Sequence, residues 1–257
     1  MCLLAFAYKV HPKFPLILIG NRDEFHNRPS REAMFWVKEG YPNILAGKDL
    51  EAGGTWLGIH KNGKWAVLTN YRDLTKTKSE APSRGDLVLN YLKEEISMRD
   101  YAFNLRTQAQ DYNGFNLILG DKEEILHYTN ESDIITIIPP GIHGLSNALL
   151  NVPWEKVIRT KSGLKNAIKQ IENDNINPNS FLDILLDETK AKEEDLPHTG
   201  LSKEKEMAIS SPFILGEEYG TKSAHLITID CFGTLQFTER IFKAGTKKIE
   251  SERTFTW

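Results

Sequence analysis

Hydrophobic residues occur along this chain in short runs separated by polar clusters, a pattern typical of β-strands joined by turns. The runs CLLAFAYKV and FPLILIG, joined by HPK, predict a hairpin near the start of the chain. The runs TWLGIH and KWAVLTN predict a second hairpin with its turn at 61–64. Further strands are predicted for GFNLILGD, EEILHYTN and DIITIIP, and a closing hairpin for SAHLITID and CFGTLQFTERIF, with Gly233 in its turn. The polar stretch NRDEFHNRPS (21–30) is expected to be a loop.

Helical periodicity appears in three places. After Ser83, a predicted N-cap, apolar residues recur at a spacing of four through SRGDLVLNYLKEEI. Residues 153–172 place six apolar side chains on one face of a helix. A shorter helix is predicted for NSFLDILLDETK, capped by Asn179 or Ser180, and the charged segment 190–207 is expected to be a long surface loop.

The order of these elements is strands, a helix, strands, helices and strands. Consecutive strands joined by short turns favour mainly antiparallel sheets over alternating βαβ units. The pattern therefore predicts an α+β protein with two sheets covered by helices. Since no repeat or linker interrupts it, residues 1–257 are expected to form a single domain.

Composition narrows the class of protein. The 257 residues are 40% hydrophobic and 26% charged, as in ordinary globular proteins, and the net charge of −3 argues against a general nucleic-acid binder. No stretch reaches the ~18 apolar residues of a membrane span, and the N-terminus lacks the basic region of a signal peptide. Two cysteines, Cys2 and Cys231, cannot form a disulfide framework. A cytoplasmic location is expected.

Motifs for common cofactors are missing from the sequence. Neither GxGxxG nor GxxxxGK[ST] occurs, so no phosphate-binding loop is predicted. The seven histidines show no HxxxH spacing and no CxxC occurs, so no metal site and no resident cofactor are expected.

Cys2 carries the most informative chemistry, because methionine aminopeptidase generally removes Met1 before a small residue. The mature chain would then begin with a thiol and a free α-amine on one residue. An α-amine has an unperturbed pKa of about 7.7–8.0, so it can act as the base for its own thiol. Cys2 is therefore a candidate N-terminal nucleophile.

Such a nucleophile needs donors for a developing oxyanion and charged groups that orient the thiol and the amine. Asn70, at the end of a predicted strand, and Asn147, in a turn after an apparent strand, can donate amide N–H groups. Arg22 and Asp23 follow the strand that pairs with the first one, which is where they would meet Cys2.

Several blocks of the sequence resemble the NRDE family, also called the transport and Golgi organisation protein two family. The blocks are MCLLAFAY, LILIGNRDEF, NRPS, LAGKDLEAGGTWLGIHKNGKWAVLTNYRD, GFNLILGD, HGLSNALLNVPWEKV and YGTKSAHLITID. They occur in order along nearly the whole chain. NRDE alone would be a weak signal, but the ordered series is specific.

The family is similar, more distantly, to N-terminal-nucleophile cysteine hydrolases of the choloylglycine hydrolase and penicillin V acylase type. That resemblance implies a four-layer αββα sandwich and Cys2 as nucleophile and base, with Asn70 and Asn147 near the oxyanion. It also implies an arginine and an acid after the second strand, here Arg22 with Asp23 or Glu24.

The resemblance also bears on substrate binding, for which Glu24, Arg72 and Lys222 are the candidate residues. Relatives usually carry YGTRS where this chain has YGTKS, so Lys222 keeps the charge but loses the planar guanidinium fork.

Two classes of function follow from the resemblance. The first is a cysteine amidohydrolase that cleaves a linear amide of a small N-acyl compound. The second is a non-catalytic carrier that uses the same cleft for haem or an acyl lipid, because eukaryotic relatives are linked to haem mobilisation and lipid homeostasis. A hydrolase needs the Cys2 thiol, whereas a carrier tolerates its loss. A haem ligand would need an axial His, Cys, Met or Tyr.

Overall fold

The computed structural model describes residues 3–172 and 175–257. They form two compact units: the first contains residues 28–139, and the second contains residues 3–27 and 140–257. The expectation of a single domain over 1–257 stays a prediction. Within the described ranges, no helix is long and apolar enough to cross a membrane.

Strands and helices follow one another in groups along the chain. The strands are β1 (Leu3–Tyr8), β2 (Leu16–Phe25), β3 (Ser30–Trp36), β4 (Tyr41–Asp49), β5 (Leu57–His60), β6 (Trp65–Asn70), β7 (Phe115–Gly120), β8 (Ile125–Thr129), β9 (Ile134–Ile137), β10 (Gly141–Leu145), β11 (Tyr219–Ile229), β12 (Leu235–Phe242) and β13 (Ile249–Thr256). The α-helices are α1 (Gly85–Lys93), α2 (Met98–Leu105), α3 (Glu155–Lys169), α4 (Pro178–Leu182) and α5 (Lys203–Ala208), and a 3-10 turn, Asp183–Leu186, follows α4.

The second unit is built on an antiparallel sheet with the strand order β10-β1-β2-β11-β12-β13. Side chains alternate between its two faces. One face packs against α3 and α4 in a buried apolar cluster, to which the sheet contributes Leu3, Ala5, Ile17, Ile19, Ala224 and Leu226. We call this the helix face of the sheet. The opposite face carries the intervening residues of the same strands.

The first unit is built on a second antiparallel sheet, with the order β3-β4-β5-β6-β7-β8-β9. Its helices α1 and α2 cover one face through a cluster that includes Leu68, Leu117, Tyr91 and Tyr101. The predicted α+β class, with two mainly antiparallel sheets flanked by helices, is confirmed. Each unit contains one α layer and one β layer of the kind found in an αββα sandwich.

The largest difference from the sequence prediction concerns the NRDE segment. It was expected to be a loop, but Asn21–Phe25 continue β2 and pair with β11. The prediction was wrong because it treated charged residues as exposed, whereas Asn21, Arg22 and Asp23 are buried. Within β2, Asn21 and Asp23 make specific hydrogen bonds that offset the cost of removing them from water.

Several element boundaries also differ. Helix α1 begins at Gly85 after Arg84, although the Ser83 hydroxyl accepts from the Gly85 N–H at 3.3 Å. It ends at Lys93, before the last apolar residue of the predicted pattern. Helix α4 is capped by Asn177, whose side chain accepts from the backbone N–H of Asn179. The segment expected to be a surface loop at 190–207 includes the start of α5.

Candidate active site

The NRDE segment lies opposite the first described residue of the chain. Leu3 begins β1, and its partner across the antiparallel ladder is Asn21. Asn21 is fully buried on the helix face, where its Nδ2 donates to the carbonyls of Leu185 (3.1 Å) and Pro212 (2.9 Å). Cys2, the predicted nucleophile, lies outside the described residues.

Asp23 is held by a hydrogen bond across the sheet. The hydroxyl of Thr221, its ladder partner in β11, donates to Asp23 Oδ1 at 2.6 Å. The same Thr221 oxygen accepts from the backbone N–H of Ile214 at 2.9 Å. Asp23 and Thr221 are both buried, so this chain of contacts fixes the carboxylate away from bulk water.

Arg22 points to the opposite face from Asp23, because neighbouring residues of a strand alternate. It is buried, and its ladder partner is Ser223. The register between β2 and β11 shifts between Thr221 and Ser223, so a β-bulge lies directly beside Arg22. Such bulges change the direction of nearby side chains. The predicted cation and acid are therefore adjacent in sequence but lie on different faces of one sheet.

The candidate substrate-binding residues of this unit surround the end of β2. Lys222, the residue at the bulge, directs its Nζ towards the carbonyls of Phe25 (3.5 Å) and His26 (3.3 Å). Glu24 accepts from the backbone N–H of Phe25 at 2.9 Å through Oε1. Both side chains thus contact the backbone that leads out of β2, and their role in substrate binding stays a prediction.

Asn147 lies just after β10, in a turn, as its sequence context predicted. It is buried, and the turn is shaped by Asn151, which has a positive φ of 63°. The Asn151 Oδ1 accepts from Gly144 N (3.0 Å) and from Lys161 Nζ (2.9 Å), while the Asn151 N–H donates to the Gly144 carbonyl (2.8 Å). These contacts tie both ends of the turn to β10 and α3, so Asn147 is part of a fixed structure.

Asn70 and Arg72 belong to the first unit. Asn70 is the last residue of β6 and pairs with Phe115 of β7, and Arg72 follows in the irregular segment after β6. Both side chains are half-buried. The convergence of Asn70 with Asn147, which belongs to the second unit, stays a prediction.

A buried polar row runs beside Asn70 on the face of this sheet away from α1 and α2. The Asn116 Nδ2 donates to the Thr69 hydroxyl at 3.2 Å, and the His127 Nε2 donates to Asn116 Oδ1 at 3.0 Å. Burial disfavours the charged imidazolium and lowers the pKa of His127 to about 4. His127 is therefore neutral at physiological pH and acts as a fixed hydrogen-bond donor.

Sequence reasoning missed Thr221 and Ser223, the ladder partners of Asp23 and Arg22, and the neighbouring pair of His225 and Glu239 in β11 and β12. The available signal was the alternation of polar residues at 221, 223 and 225 within a strand-like run. That pattern normally indicates a solvent-exposed face of a sheet, but in the structure these residues are buried.

The described parts of the two units thus supply a buried guanidinium, a buried carboxylate and two primary amides at strand ends. Within its own unit, the guanidinium or the carboxylate can orient a polar ligand, and each amide can donate hydrogen bonds. Among the described residues, no group of three or more His, Cys, Asp or Glu side chains is arranged to hold a metal ion.

A family profile and two similar relatives indicate the same protein family. The sequence profile described as Transport and Golgi organisation 2 matches residues 1–244. The chain is 34% identical over 260 residues to a Transport and Golgi organization 2 homolog of Mus musculus, covering 93% of this chain and 92% of the relative. It is 35% identical over 266 residues to the Homo sapiens homolog, with the same coverages.

Two solved structures show more distant similarity. One is a Caenorhabditis elegans ortholog of N-acylethanolamine-hydrolyzing acid amidase, with a TM-score of 0.44, 11% identity, and coverage of 88% of this chain and 92% of that chain. The other is the R18L variant of a conjugated bile acid hydrolase from Clostridium perfringens, with a TM-score of 0.49, 11% identity, and coverage of 99% and 96%. Both TM-scores lie below 0.5.

Proposed function

This chain belongs to the Transport and Golgi organisation 2 family, and we propose that it is an N-terminal-nucleophile cysteine hydrolase. In this proposal the mature chain begins at Cys2 and cleaves a linear amide of a small N-acyl compound. The observation that carries the proposal is the pairing of Leu3 with Asn21. Cys2 is joined to Leu3 by one peptide bond, and Cα atoms across such a bond are about 3.8 Å apart. This short covalent distance supports the proposal that the nucleophile acts beside the buried Arg22–Asp23 segment.

The roles follow from the chemistry of each group. The Cys2 α-amine takes the proton of the thiol, and the thiolate attacks the amide carbonyl. Asn70 and Asn147 donate hydrogen bonds to the oxyanion that forms. The protonated amine then gives this proton to the leaving nitrogen, the C–N bond breaks and the amine product departs. In the second step the α-amine takes a proton from water, whose oxygen attacks the thioester. The C–S bond then breaks, the acid product leaves, and the proton returns to the thiol. Arg22 and Asp23 supply the charges that orient the thiol and the amine, and Glu24, Arg72 and Lys222 contact the substrate.

Burial of Arg22 and Asp23 supports this assignment over a purely structural role for the segment. A charged side chain removed from water costs several kcal/mol unless it is paired and hydrogen-bonded. β2 could end on apolar residues at no such cost. The chain instead carries a buried guanidinium and a buried carboxylate near the end of β2, one and two residues beyond the ladder partner of Leu3.

The test uses a cleavable N-terminal tag whose removal leaves Cys2 as the first residue. Turnover of a panel of N-acyl amino acids is measured before and after cleavage. Before cleavage the nitrogen of Cys2 is an amide that cannot accept a proton, so we expect turnover only after cleavage. Cys2→Ala should abolish turnover, and Cys231→Ala is the matched control because this second cysteine is exposed. Equal turnover in the tagged and cleaved forms would refute the mechanism.

The carrier function is the alternative outcome of the same experiment. If no substrate of the panel is turned over, haem and an acyl lipid are titrated into the cleaved protein and into Cys2→Ala. Equal saturable binding by both proteins, with a defined haem absorption band, would favour a carrier that does not need the thiol.

A further inference from the structure

A pair of titratable residues that the proposed mechanism does not use lies inside the sheet of the second unit. His225 of β11 and Glu239 of β12 are ladder partners, and each side chain is only 1% exposed. The His225 Nε2 lies 3.1 Å from Glu239 Oε1. A buried pair of this kind is a weak contributor to stability, because desolvation offsets the attraction between the two groups. Its presence therefore calls for another explanation.

His225 also reaches the neighbouring strand on its other side. Its Nδ1 lies 3.4 Å from the carbonyl oxygen of Gly20 in β2, and a carbonyl oxygen can only accept a hydrogen bond. Together with the contact to Glu239, this gives the His225 ring contacts to both β2 and β12 at one level of the sheet.

The contacts of His225 lie on two sides of Arg22. Gly20 stands two residues before Arg22 in β2 and belongs to the same face. Ser223 is the ladder partner of Arg22, and its Oγ lies 3.5 Å from the His225 Nε2. His225 therefore touches both the strand that carries Arg22 and the residue directly opposite it.

The β-bulge explains why a residue that contacts both sides of Arg22 is needed here. The regular register between β2 and β11 is interrupted between Thr221 and Ser223, immediately beyond Arg22. On that side the ladder provides a weaker constraint, because a bulge leaves an extra residue unpaired and bends the strand. On the other side, regular pairing begins with Ser223 opposite Arg22 and reaches His225 two residues later, opposite Gly20.

We propose that His225 and Glu239 are positioning residues that hold Arg22 in the place where it orients the Cys2 thiol. This inference rests on the proposed function, because it assigns a purpose to the location of Arg22. A group that orients a nucleophile must be held to a fraction of an ångström, and shifts of about 1 Å can cost on the order of 10²-fold in rate. Without the pair, the bulged strand β11 can shift against β2, so that Arg22 loses its fixed position opposite Ser223. The thiol then becomes less reactive although the fold remains.

The test separates positioning from stability. Replacing both members by leucine (H225L/E239L) exchanges the pair for apolar side chains, which is commonly neutral or stabilising. Glu239→Gln is the conservative control, because the glutamine amide can donate to Nε2 while Nδ1 still donates to Gly20. The readouts are the urea midpoint of unfolding and the rate at which iodoacetamide alkylates Cys2 in the tag-cleaved protein, with the exposed Cys231 as internal reference.

We expect the leucine pair to unfold at or above the wild-type midpoint, yet to alkylate at Cys2 about tenfold more slowly. Glu239→Gln should stay within about threefold of wild type in the same assay. In an Arg22→Ala background the leucine pair should cause no further loss, because residues acting through one group are not additive.

If the leucine pair does not fold, Ser223→Ala takes its place, since it removes only the hydroxyl that His225 contacts at the position opposite Arg22. A severalfold slower alkylation of Cys2 at unchanged stability is then expected. Wild-type reactivity in the folded leucine pair, or in Ser223→Ala where it replaces the pair, would overturn this inference alone. A wild-type Cys2 no more reactive than Cys231 would overturn the proposed function, and this inference with it.

Discussion

His127 makes the stability of this protein depend on pH in a way that can be calculated. The side chain lies in β8, buried among the strands of the first unit, and donates to Asn116 Oδ1 at 3.0 Å. Burial lowers its pKa to about 4, whereas histidine in an unfolded chain titrates near 6.5. The unfolded chain therefore binds a proton at a higher pH than the folded protein does.

The sign and the size of the effect follow from this difference. As pH falls through about 6.5, protonation of the unfolded chain lowers the free energy of unfolding, and the loss stops growing below about 4. A difference of roughly 2.5 pKa units corresponds to a total loss of about 3 kcal/mol. Between pH 7 and pH 5, linkage gives a loss of about 2 kcal/mol from this one residue.

The assay compares wild type with His127→Gln. The glutamine amide can still donate to Asn116 Oδ1, but it does not titrate. Unfolding in urea is followed by the fluorescence of the five tryptophans at pH 7 and at pH 5. We expect the advantage of wild type over the variant to shrink by about 2 kcal/mol at the lower pH. His198→Gln is the matched control because His198 is exposed.

Two outcomes would refute the reasoning. If wild type and His127→Gln lose the same free energy of unfolding between pH 7 and pH 5, the pKa of His127 is not lowered by its surroundings. If His198→Gln changes the pH dependence as much as His127→Gln does, burial is not the cause.

Two further predictions concern individual hydrogen bonds at the candidate site. Thr221→Val should lower the free energy of unfolding by about 1–3 kcal/mol, because it leaves the buried Asp23 carboxylate without its hydroxyl donor. Thr221→Ser keeps a hydroxyl and should therefore keep most of the wild-type stability. Equal stability of the two variants in urea would contradict this prediction. Asn70→Ala and Asn147→Ala should each lower kcat by roughly 10²–10³ without a matching loss in thermal stability; an unchanged kcat would remove that residue from the oxyanion site.

Elements with a strong local pattern were predictable from the sequence. The β1–β2 hairpin follows from two short apolar runs joined by HPK, and helix α3 from apolar residues at helical spacing; in the second unit the two pack against each other. Strands β7 and β8 follow from apolar runs in the same way, and the structure pairs them.

Elements defined by pairing with a distant strand were not predictable. β13, whose side chains are mostly exposed and include two glutamates and an arginine, is a strand because it pairs with β12 at the edge of the sheet. Charged residues are common on such edges, where they discourage association with other chains. β3 has a similar position at the edge of the other sheet, and its pairing with β4 is interrupted by shifts in register. Local hydrophobicity carries little information about either strand.

The candidate site was predictable only in part, and for a related reason. Arg22, Asp23 and Asn147 were singled out because they stand near strand ends, and the structure shows all three to be buried. Thr221 and His225 were not, because their importance comes from the strand opposite them, which lies far away in the sequence. A single sequence contains no direct record of such a ladder.

The position of NRDE within a strand also divides the roles of its two central residues. A loop would allow Arg22 and Asp23 to turn towards the same group, but in β2 they lie on opposite faces of the sheet. Asp23 faces the helices and is held by Thr221, whereas Arg22 lies opposite Ser223 on the other face. In the proposed mechanism, Arg22 and Asp23 therefore act from opposite faces of the same sheet, and each is positioned by a different residue of β11.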